Sequence, residues 1–228
     1  PNVLDDTVAD FAILQMLSVA RGTLSNDKYV RENQWKKVFL KQQMGVDFHN
    51  KKLGLIGFGR IGKKIAKRAK AFDLQINYFC RNQEKSDIEN QYGAYYSDLN
   101  SLCKNSDFIV VIVPYSKETH HLISYDQISL MKKNSIIVNI ARGGVINDLA
   151  LIQALREKKI YGAGIDVFEN EPKINEDFYA LDNVVLSPHV GSGTYDTRKA
   201  MSLKASENII SAVIHKQYIN LVNQEVLN

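Results

Sequence analysis

Gly57-Phe58-Gly59-Arg60-Ile61-Gly62 stands between an apolar run at residues 53–56 and an amphipathic run at 61–72. The three glycines have separate uses at a strand-to-helix turn. Gly57 allows the tight turn, Gly59 removes a side chain where a pyrophosphate would approach the backbone, and Gly62 lets the helix lie close to the strand. The opening of the helix adds free N–H groups and the positive end of its dipole, so main chain rather than side chain would hold the phosphates. Such a run alone is a weak signal, since any tight strand-to-helix turn can produce it. A second apolar run at residues 76–79, at the distance a βαβ unit requires, turns it into a candidate dinucleotide site. Gly57, Gly59 and Gly62, with Arg60 and Ile61 between them, are the candidate cofactor contacts of this turn.

Downstream the same alternation continues. Residues 76–79 lead into a polar loop, 108–113 precede a helical 125–131, and 136–140 precede a helical 149–158; apolar runs follow at 162–167 and 184–186. These runs are rich in β-branched residues and do not alternate with polar ones, which predicts strands buried on both faces. The class is α/β, a doubly wound parallel sheet of the Rossmann type. Upstream, Val8, Phe11, Ala12, Leu14, Leu17 and Val19 approximate helical spacing, with Asp5, Asp6 or Thr7 as caps and Gly22 as a stop. Residues 23–50 mix charges with Trp35, Phe39 and Phe48, which predicts a short helix and an irregular arm suited to covering a partner subunit. A last helical stretch, from Thr194 to about residue 219, carries Ala200, Leu203, Ile209, Ile210 and Val213 and is expected to pack across the sheet or reach back to another domain. The expected division is a dinucleotide-binding domain over 5–193, including a dimerisation arm at about 22–50, and a C-terminal helical segment over 194–228. Because the chain starts at Pro1, without Met, and runs at once into a helical pattern, a further segment is expected upstream.

Charge and cysteine content narrow the functional classes. The 29 Lys and Arg exceed the 25 Asp and Glu by only four, and the two signs are interspersed, so a nucleic-acid partner is not expected. A slight positive balance suits small anions but equally describes an ordinary solvated surface. Cys80 and Cys103 lie far apart with no Cys or His at ligand spacing, so neither a disulfide framework nor a metal site is expected, and a reducing, cytoplasmic setting fits. The longest apolar stretch falls far short of the roughly 20 residues of a membrane span, and no signal-peptide pattern opens the chain.

At the end of the second apolar run, where an NAD site commonly places a carboxylate for the adenosine ribose, the residues are Cys80, Arg81 and Asn82. Arg81 can form a charge-assisted pair with a 2′-phosphate, which favours NADP(H) over NAD(H). The other reading leaves Arg81 in solvent beside Glu84 and the cofactor choice open.

Three later segments carry a resemblance: Asn139-Ile140-Ala141-Arg142-Gly143-Gly144, then Gly164-Ile165-Asp166-Val167-Phe168-Glu169-Asn170-Glu171-Pro172, then Ser187-Pro188-His189-Val190-Gly191. In order and spacing, together with the glycine turn, they resemble the D-2-hydroxyacid dehydrogenases over nearly the whole chain. Reduction of a 2-oxo acid needs a hydride donor, a proton for the developing alkoxide and a cation for the carboxylate. His189 fits the proton donor, and Glu171 the carboxylate that orients it and favours its charged form. Arg142 fits the substrate clamp, since a guanidinium can pair with a carboxylate and the adjacent carbonyl together. Singly, each is an ordinary structural or solvated residue. Their joint occurrence behind the glycine turn, each at a strand's C-terminal end, makes the case.

The resemblance further implies that Asp166 holds the nicotinamide carboxamide and that Val113, Pro114, Thr119, Ile140, Ala141 and Gly191 line the cofactor cleft. It implies an N-terminal substrate domain whose glycine-rich loop shares the carboxylate, and nothing before Pro1 supplies one. It also implies a homodimer acting on glyoxylate, hydroxypyruvate or a similar 2-oxo acid. Two other readings stay on the table: a non-catalytic dinucleotide-sensing regulator on the same fold, and formate dehydrogenase, a relative in which a Gln replaces the catalytic Glu. The intact Arg142, Glu171 and His189 weigh against both. His120 and His121 are expected to be structural, pointing different ways and lacking carboxylate neighbours at ligand spacing.

Overall fold

The computed structural model describes residues 2–38 and 44–227. The chain opens with α1 (Asp5–Ala20), whose first turn carries Asp5 and Asp6 against the positive end of the helix dipole. Val8, Ala12, Ile13, Met16 and Val19 bury one face of it. After α2 (Thr23–Arg31) the chain alternates through β1 (Lys52–Ile56), α3 (Arg60–Lys70), β2 (Gln75–Phe79), α4 (Ser86–Tyr92), β3 (Ala94–Tyr96), α5 (Leu99–Asn105) and β4 (Phe108–Val111). It continues through α6 (Tyr125–Leu130), β5 (Ile136–Asn139), α7 (Asp148–Arg156), β6 (Gly162–Ile165), β7 (Val184–Leu186) and α8 (Tyr195–Val213).

The seven strands form one sheet in the order β3-β2-β1-β4-β5-β6-β7, every neighbouring pair parallel. Connection by helices puts one layer on each face of it. Leu53, Leu55, Ile76, Val110 and Val138 face a core shared with α1 and α3, and Ile56, Ile109, Val111, Ile137 and Ile165 face a second shared with α5, α6 and α7. Strands β4, β5 and β6 are buried at every position, as their unbroken apolar runs predict. The order reverses between β1 and β4. The carboxyl ends of the strands flanking such a reversal open a crevice, and the candidate residues lie along those ends.

Two expectations need correction. The polar loop predicted after β2 contains α4, β3 and α5. These were illegible because β3 has three residues with only Ala94 buried, too short for any period, while α4 buries nothing. Its successor α5 is capped by Asp98, whose side chain accepts from the Ser101 N–H. The last helix stops at Val213 rather than near residue 219, and of the two placements expected for it the one across the sheet is not adopted. Leu203, Ile209, Ile210 and Val213 are exposed, and the helix buries only Thr197 and Ser211. A hydroxyl contact of 2.6 Å between Thr7 and Thr197 ties its start to α1.

The arm between α1 and β1 is divided. No residue of α2 is buried, and Leu24, Val30, Trp35 and Val38 are exposed. Phe48 is buried, packing edge-on against Phe72 and Phe108 at centroid distances of 5.1 and 4.9 Å. Phe39 lies outside the described residues. Among the described residues no helix is long and apolar enough to cross a membrane.

Candidate active site

The glycine turn has the shape its sequence predicts. Gly57 sits at φ +109°, where a side chain is strained, and a Cβ there would press the Ile112 carbonyl at 2.9 Å. At Gly62 a Cβ would meet the Gly57 carbonyl at 2.6 Å, so helix and strand pack too closely for one. A Cβ on Gly59 would meet nothing within 4 Å. The space in front of Gly59 is therefore open on the side where the first N–H groups of α3, which have no intrahelical acceptor, point outward. These residues fit a dinucleotide pyrophosphate. Beside them the Arg60 Nε donates to Asp5 at 2.9 Å, from an Asp5 side chain almost fully buried.

Arg60, Ile61, Val113, Pro114, Ile140, Ala141, Arg142 and Glu171 line one open cleft of about 960 Å³. Thr119 is used locally: its hydroxyl accepts from the Ser116 N–H at 2.7 Å and donates to the Pro114 carbonyl at 2.8 Å, closing the turn that follows β4. The exit of β5 is shaped by Asn139, which is buried and accepts from the Ala141 N–H. There the Arg142 guanidinium is exposed, donates to the Ala141 carbonyl at 2.6 Å, and pairs with no carboxylate among the described residues. It keeps donors for an incoming anion.

His189 lies on the turn after β7, in a neighbouring hollow of about 460 Å³ that shares Phe168 and Glu171 with the cleft. Its Nδ1 donates to the Glu171 Oε1 at 2.6 Å, which leaves Nε2 free to serve a reacting oxygen. Oε2 of Glu171 in turn accepts from the Phe168 N–H at 3.3 Å. The His189 backbone is left-handed, φ +53°, an uncommon conformation for a residue with a side chain. Asp166 braces the turn that adopts it. Only 2 % exposed, its carboxylate accepts from the Ser187 hydroxyl at 2.7 Å, the Val190 N–H at 2.9 Å and the Gly191 N–H at 2.8 Å, while its carbonyl accepts from the His189 N–H. Gln15 of α1 completes the support by donating to the Ser187 hydroxyl at 2.8 Å.

Thus both Asp166 oxygens brace the 187–191 turn, and Oδ2, which accepts only the Gly191 N–H among the described residues, keeps acceptor capacity for the nicotinamide carboxamide that the resemblance implies. Gly191 is buried beneath the same carboxylate. Sequence reasoning missed Gln15, whose 172-residue separation from Ser187 leaves no local trace.

The two histidines depart from expectation. Their rings do not diverge but stack, 3.9 Å between centroids and 23° between planes. A carboxylate also meets one of them, since the His121 Nε2 donates to Glu169 at 3.0 Å from 48 residues away. Glu169 and Asp148 then exchange bonds, the carboxylate of each accepting the other's N–H at 3.1 and 3.0 Å. Burial and the Glu169 charge push the Asp148 carboxyl up to about 6. The network braces the loop that carries Glu171, while His120 also lines the cleft.

At the end of β2 the Cys80 thiol donates to the Asn82 carbonyl at 2.8 Å, and Arg81 is exposed. Two carboxylates lie close to this tripeptide. Glu84 is bound to Lys63 of α3 at 2.8 Å, and Glu118, held below the usual range chiefly by the Ser116 hydroxyl, also feels the Arg81 charge. The absence of an acid at 80–82 therefore does not leave the ribose end free of negative charge.

A parallel sheet with a glycine-rich pyrophosphate cradle at its reversal point, and a guanidinium and a His–Glu pair at the ends of β5 and β7, define a nicotinamide-dinucleotide-dependent oxidoreductase of 2-hydroxy acids. Residues 13–191 match the D-isomer specific 2-hydroxyacid dehydrogenase NAD binding domain, and the chain belongs to that family. It is 44% identical over 232 residues to a glyoxylate reductase of Thermococcus onnurineus, an alignment covering 100% of this chain and 69% of the relative. Among solved structures, the NADPH-dependent glyoxylate/hydroxypyruvate reductase of Sinorhizobium meliloti, in complex with NADP and malonate, superposes with a TM-score of 0.89 at 32% identity, covering 96% of this chain and 67% of that one. A D-mandelate dehydrogenase of Rhodotorula graminis superposes with a TM-score of 0.86 at 29% identity, covering 95% and 65%. These relatives support the dehydrogenase and give the regulator no support.

Proposed function

We propose that this protein reduces glyoxylate, hydroxypyruvate or a 2-oxo acid of similar size, drawing on NADPH in preference to NADH. The bound nicotinamide supplies the hydride. Arg142 pairs with the substrate carboxylate and carbonyl, His189 delivers a proton to the carbonyl oxygen through Nε2, and Glu171 fixes the ring through Nδ1. The observation that carries this reading is the 2.6 Å contact between His189 and Glu171 on a turn that Asp166 holds in a left-handed conformation. The glycine turn supports the pyrophosphate, Val113, Pro114, Ile140 and Ala141 line the cleft, and Arg81 is the first contact of a 2′-phosphate. The name of the Sinorhizobium relative agrees with that cofactor.

The exposed apolar side chains of the arm, Leu24, Val30, Trp35 and Val38, support a homodimer, and the two unpaired cysteines suit a reducing cytoplasm. Residues 5–193 would then be the dinucleotide domain and 194–228 the segment facing a substrate domain. Steady-state kinetics of the full-length protein on a panel of 2-oxo acids with both cofactors tests the proposal. NADPH-dependent reduction of glyoxylate and hydroxypyruvate is expected, with Arg81→Asp reversing or erasing the cofactor preference. Equal kcat/KM with NADH and NADPH in the parent refutes the preference, and no turnover of any 2-oxo acid refutes the substrate class.

A further inference from the structure

The end of β2 is a cluster of both charge signs rather than a single cation. Lys63 sits on the first turn of α3, immediately after Gly62, and its Nζ lies 2.8 Å from Glu84. Both partners are about one-quarter exposed, 25% and 27%, so the pair is partly shielded yet reachable. Lys63 also lies 5.9 Å over the Phe58 ring, which is stacked on Tyr78 at 4.2 Å.

The loop that carries Glu84 is anchored. The Tyr78 hydroxyl accepts from the Glu84 N–H at 2.9 Å and donates to Glu89 at 2.7 Å, and Gln83 donates to the same Glu89 oxygen at 3.0 Å. Tyr78 is itself fully buried. Glu84 is therefore a fixed feature next to Cys80 and Arg81, not a solvated side chain that happens to be near. The charged groups brought to this corner are Lys63 from α3, Arg81 and Glu84 from the β2 exit, Glu89 from α4 behind Tyr78 and Gln83, and Glu118 from the turn after β4.

We propose that Lys63 is a second cation for the adenosine 2′-phosphate and that Glu84, by occupying it, sets how strongly the protein prefers a 2′-phosphorylated cofactor. The inference rests on the dinucleotide reading of the Gly57 turn and on Arg81 as the first 2′-phosphate contact. A 2′-phosphate dianion competes with the Glu84 monocarboxylate for the Lys63 ammonium, while a ribose 2′-hydroxyl offers too little charge to displace it. Glu84 thus opposes NADPH twice, by holding Lys63 and by repelling the phosphate, and has little effect on NADH. Lys63 is a residue of specificity, and Tyr78 and Glu89 are positioning residues behind it.

The test uses half-cofactors and needs no turnover. Calorimetric titration of the full-length protein with 2′,5′-ADP and with 5′-AMP, which differ only in the 2′-phosphate, isolates the interaction. Glu84→Gln should tighten 2′,5′-ADP about tenfold and leave 5′-AMP within about twofold, the size expected for removing one charge several ångströms away in a partly screened site. Lys63→Met should weaken 2′,5′-ADP about tenfold with 5′-AMP again unchanged, and in that background Glu84→Gln should lose the part of its effect that comes from releasing Lys63 and keep the part that comes from repulsion. Glu84→Gln without effect on 2′,5′-ADP, or Lys63→Met weakening both nucleotides equally, overturns the proposal. Arg81→Ala measured alongside separates the two levels. Loss of 2′,5′-ADP binding in Arg81→Ala but not in Lys63→Met refutes only the role of Lys63, whereas a parent that binds both nucleotides alike refutes the 2′-phosphate reading itself.

Discussion

Replacing Asp166 with Asn tests what holds the proton donor in place. The carboxylate accepts three bonds, from the Ser187 hydroxyl and the Val190 and Gly191 N–H groups, across its two oxygens. An amide keeps one oxygen and turns the other into a donor, so at least one of those N–H groups faces an NH₂. Losing a hydrogen bond to a charged acceptor costs about 1.5–3 kcal/mol, and stranding a buried donor costs about 1–3 kcal/mol more. A total of about 3–5 kcal/mol in a domain of this size lowers Tm by about 10 °C or somewhat more. The same relaxation frees the left-handed His189, and misplacing a catalytic group by about 1 Å can cost about 100-fold in rate.

Thermal unfolding by circular dichroism, calorimetry with NADPH and steady-state reduction by the full-length protein read the three consequences separately. Asp166→Asn is expected to lower Tm and kcat together while dinucleotide affinity stays within about threefold. A variant with unchanged Tm and kcat but dinucleotide affinity reduced tenfold or more would refute this reasoning and make the nicotinamide carboxamide the main partner of Asp166.

His189→Ala should leave cofactor affinity near the parent value while kcat falls roughly 100-fold or more, as for a lost general acid; near-parent turnover removes His189 from the chemistry. Arg142→Lys keeps the charge but loses the planar fork, so KM for the 2-oxo acid should rise and kcat should fall, and unchanged kinetics would assign the carboxylate elsewhere. Asp148→Asn concerns stability. Because its folded carboxyl is raised from 3.8 to about 6, the folded state holds the proton more tightly, so the parent loses stability as pH rises through that window. The amide removes the dependence and should raise stability above pH 7 by about 1–2 kcal/mol, less than the roughly 3 kcal/mol that a shift of two units represents, because an amide oxygen is a weaker acceptor for the Glu169 N–H. Denaturant titrations at pH 5 and 8 read this directly, and an unchanged pH slope contradicts it.

What could be read from the sequence was whatever leaves a local pattern. The glycine turn between β1 and α3 carries its own geometry, and the unbroken apolar runs of β4, β5 and β6 announce a sheet covered on both faces. Arg142, Glu171 and His189 were legible as candidates through the resemblance of the three segments that carry them, which follow β5, β6 and β7. The short edge strand β3 was not, since three residues with one buried side chain establish no period. Nor were the supports of the site. Gln15 reaches Ser187, and Glu169 reaches His121, only after the sheet has brought α1 and the loops after β4 and β6 together. The corner at β2 shows the same limit in charge. Cys80, Arg81 and Asn82 read as a site without acid; Glu84 was visible in the sequence beside Arg81, but Glu118 is delivered by folding from the turn after β4. The apolar residues of α8 left two placements open for a related reason, because periodicity reports a face without saying what covers it.

The central claim is that hydride passes from the nicotinamide to the carbonyl carbon of a 2-oxo acid while His189 supplies the proton. Incubating the full-length protein with hydroxypyruvate and NADPH deuterated at the transferring position, then analysing the product by mass spectrometry and chiral chromatography, tests it most directly. The account predicts D-glycerate with one deuterium at C2, formed by the parent and nearly abolished in His189→Ala. Product without deuterium at C2, or labelled D-glycerate formed equally well without His189, would contradict it.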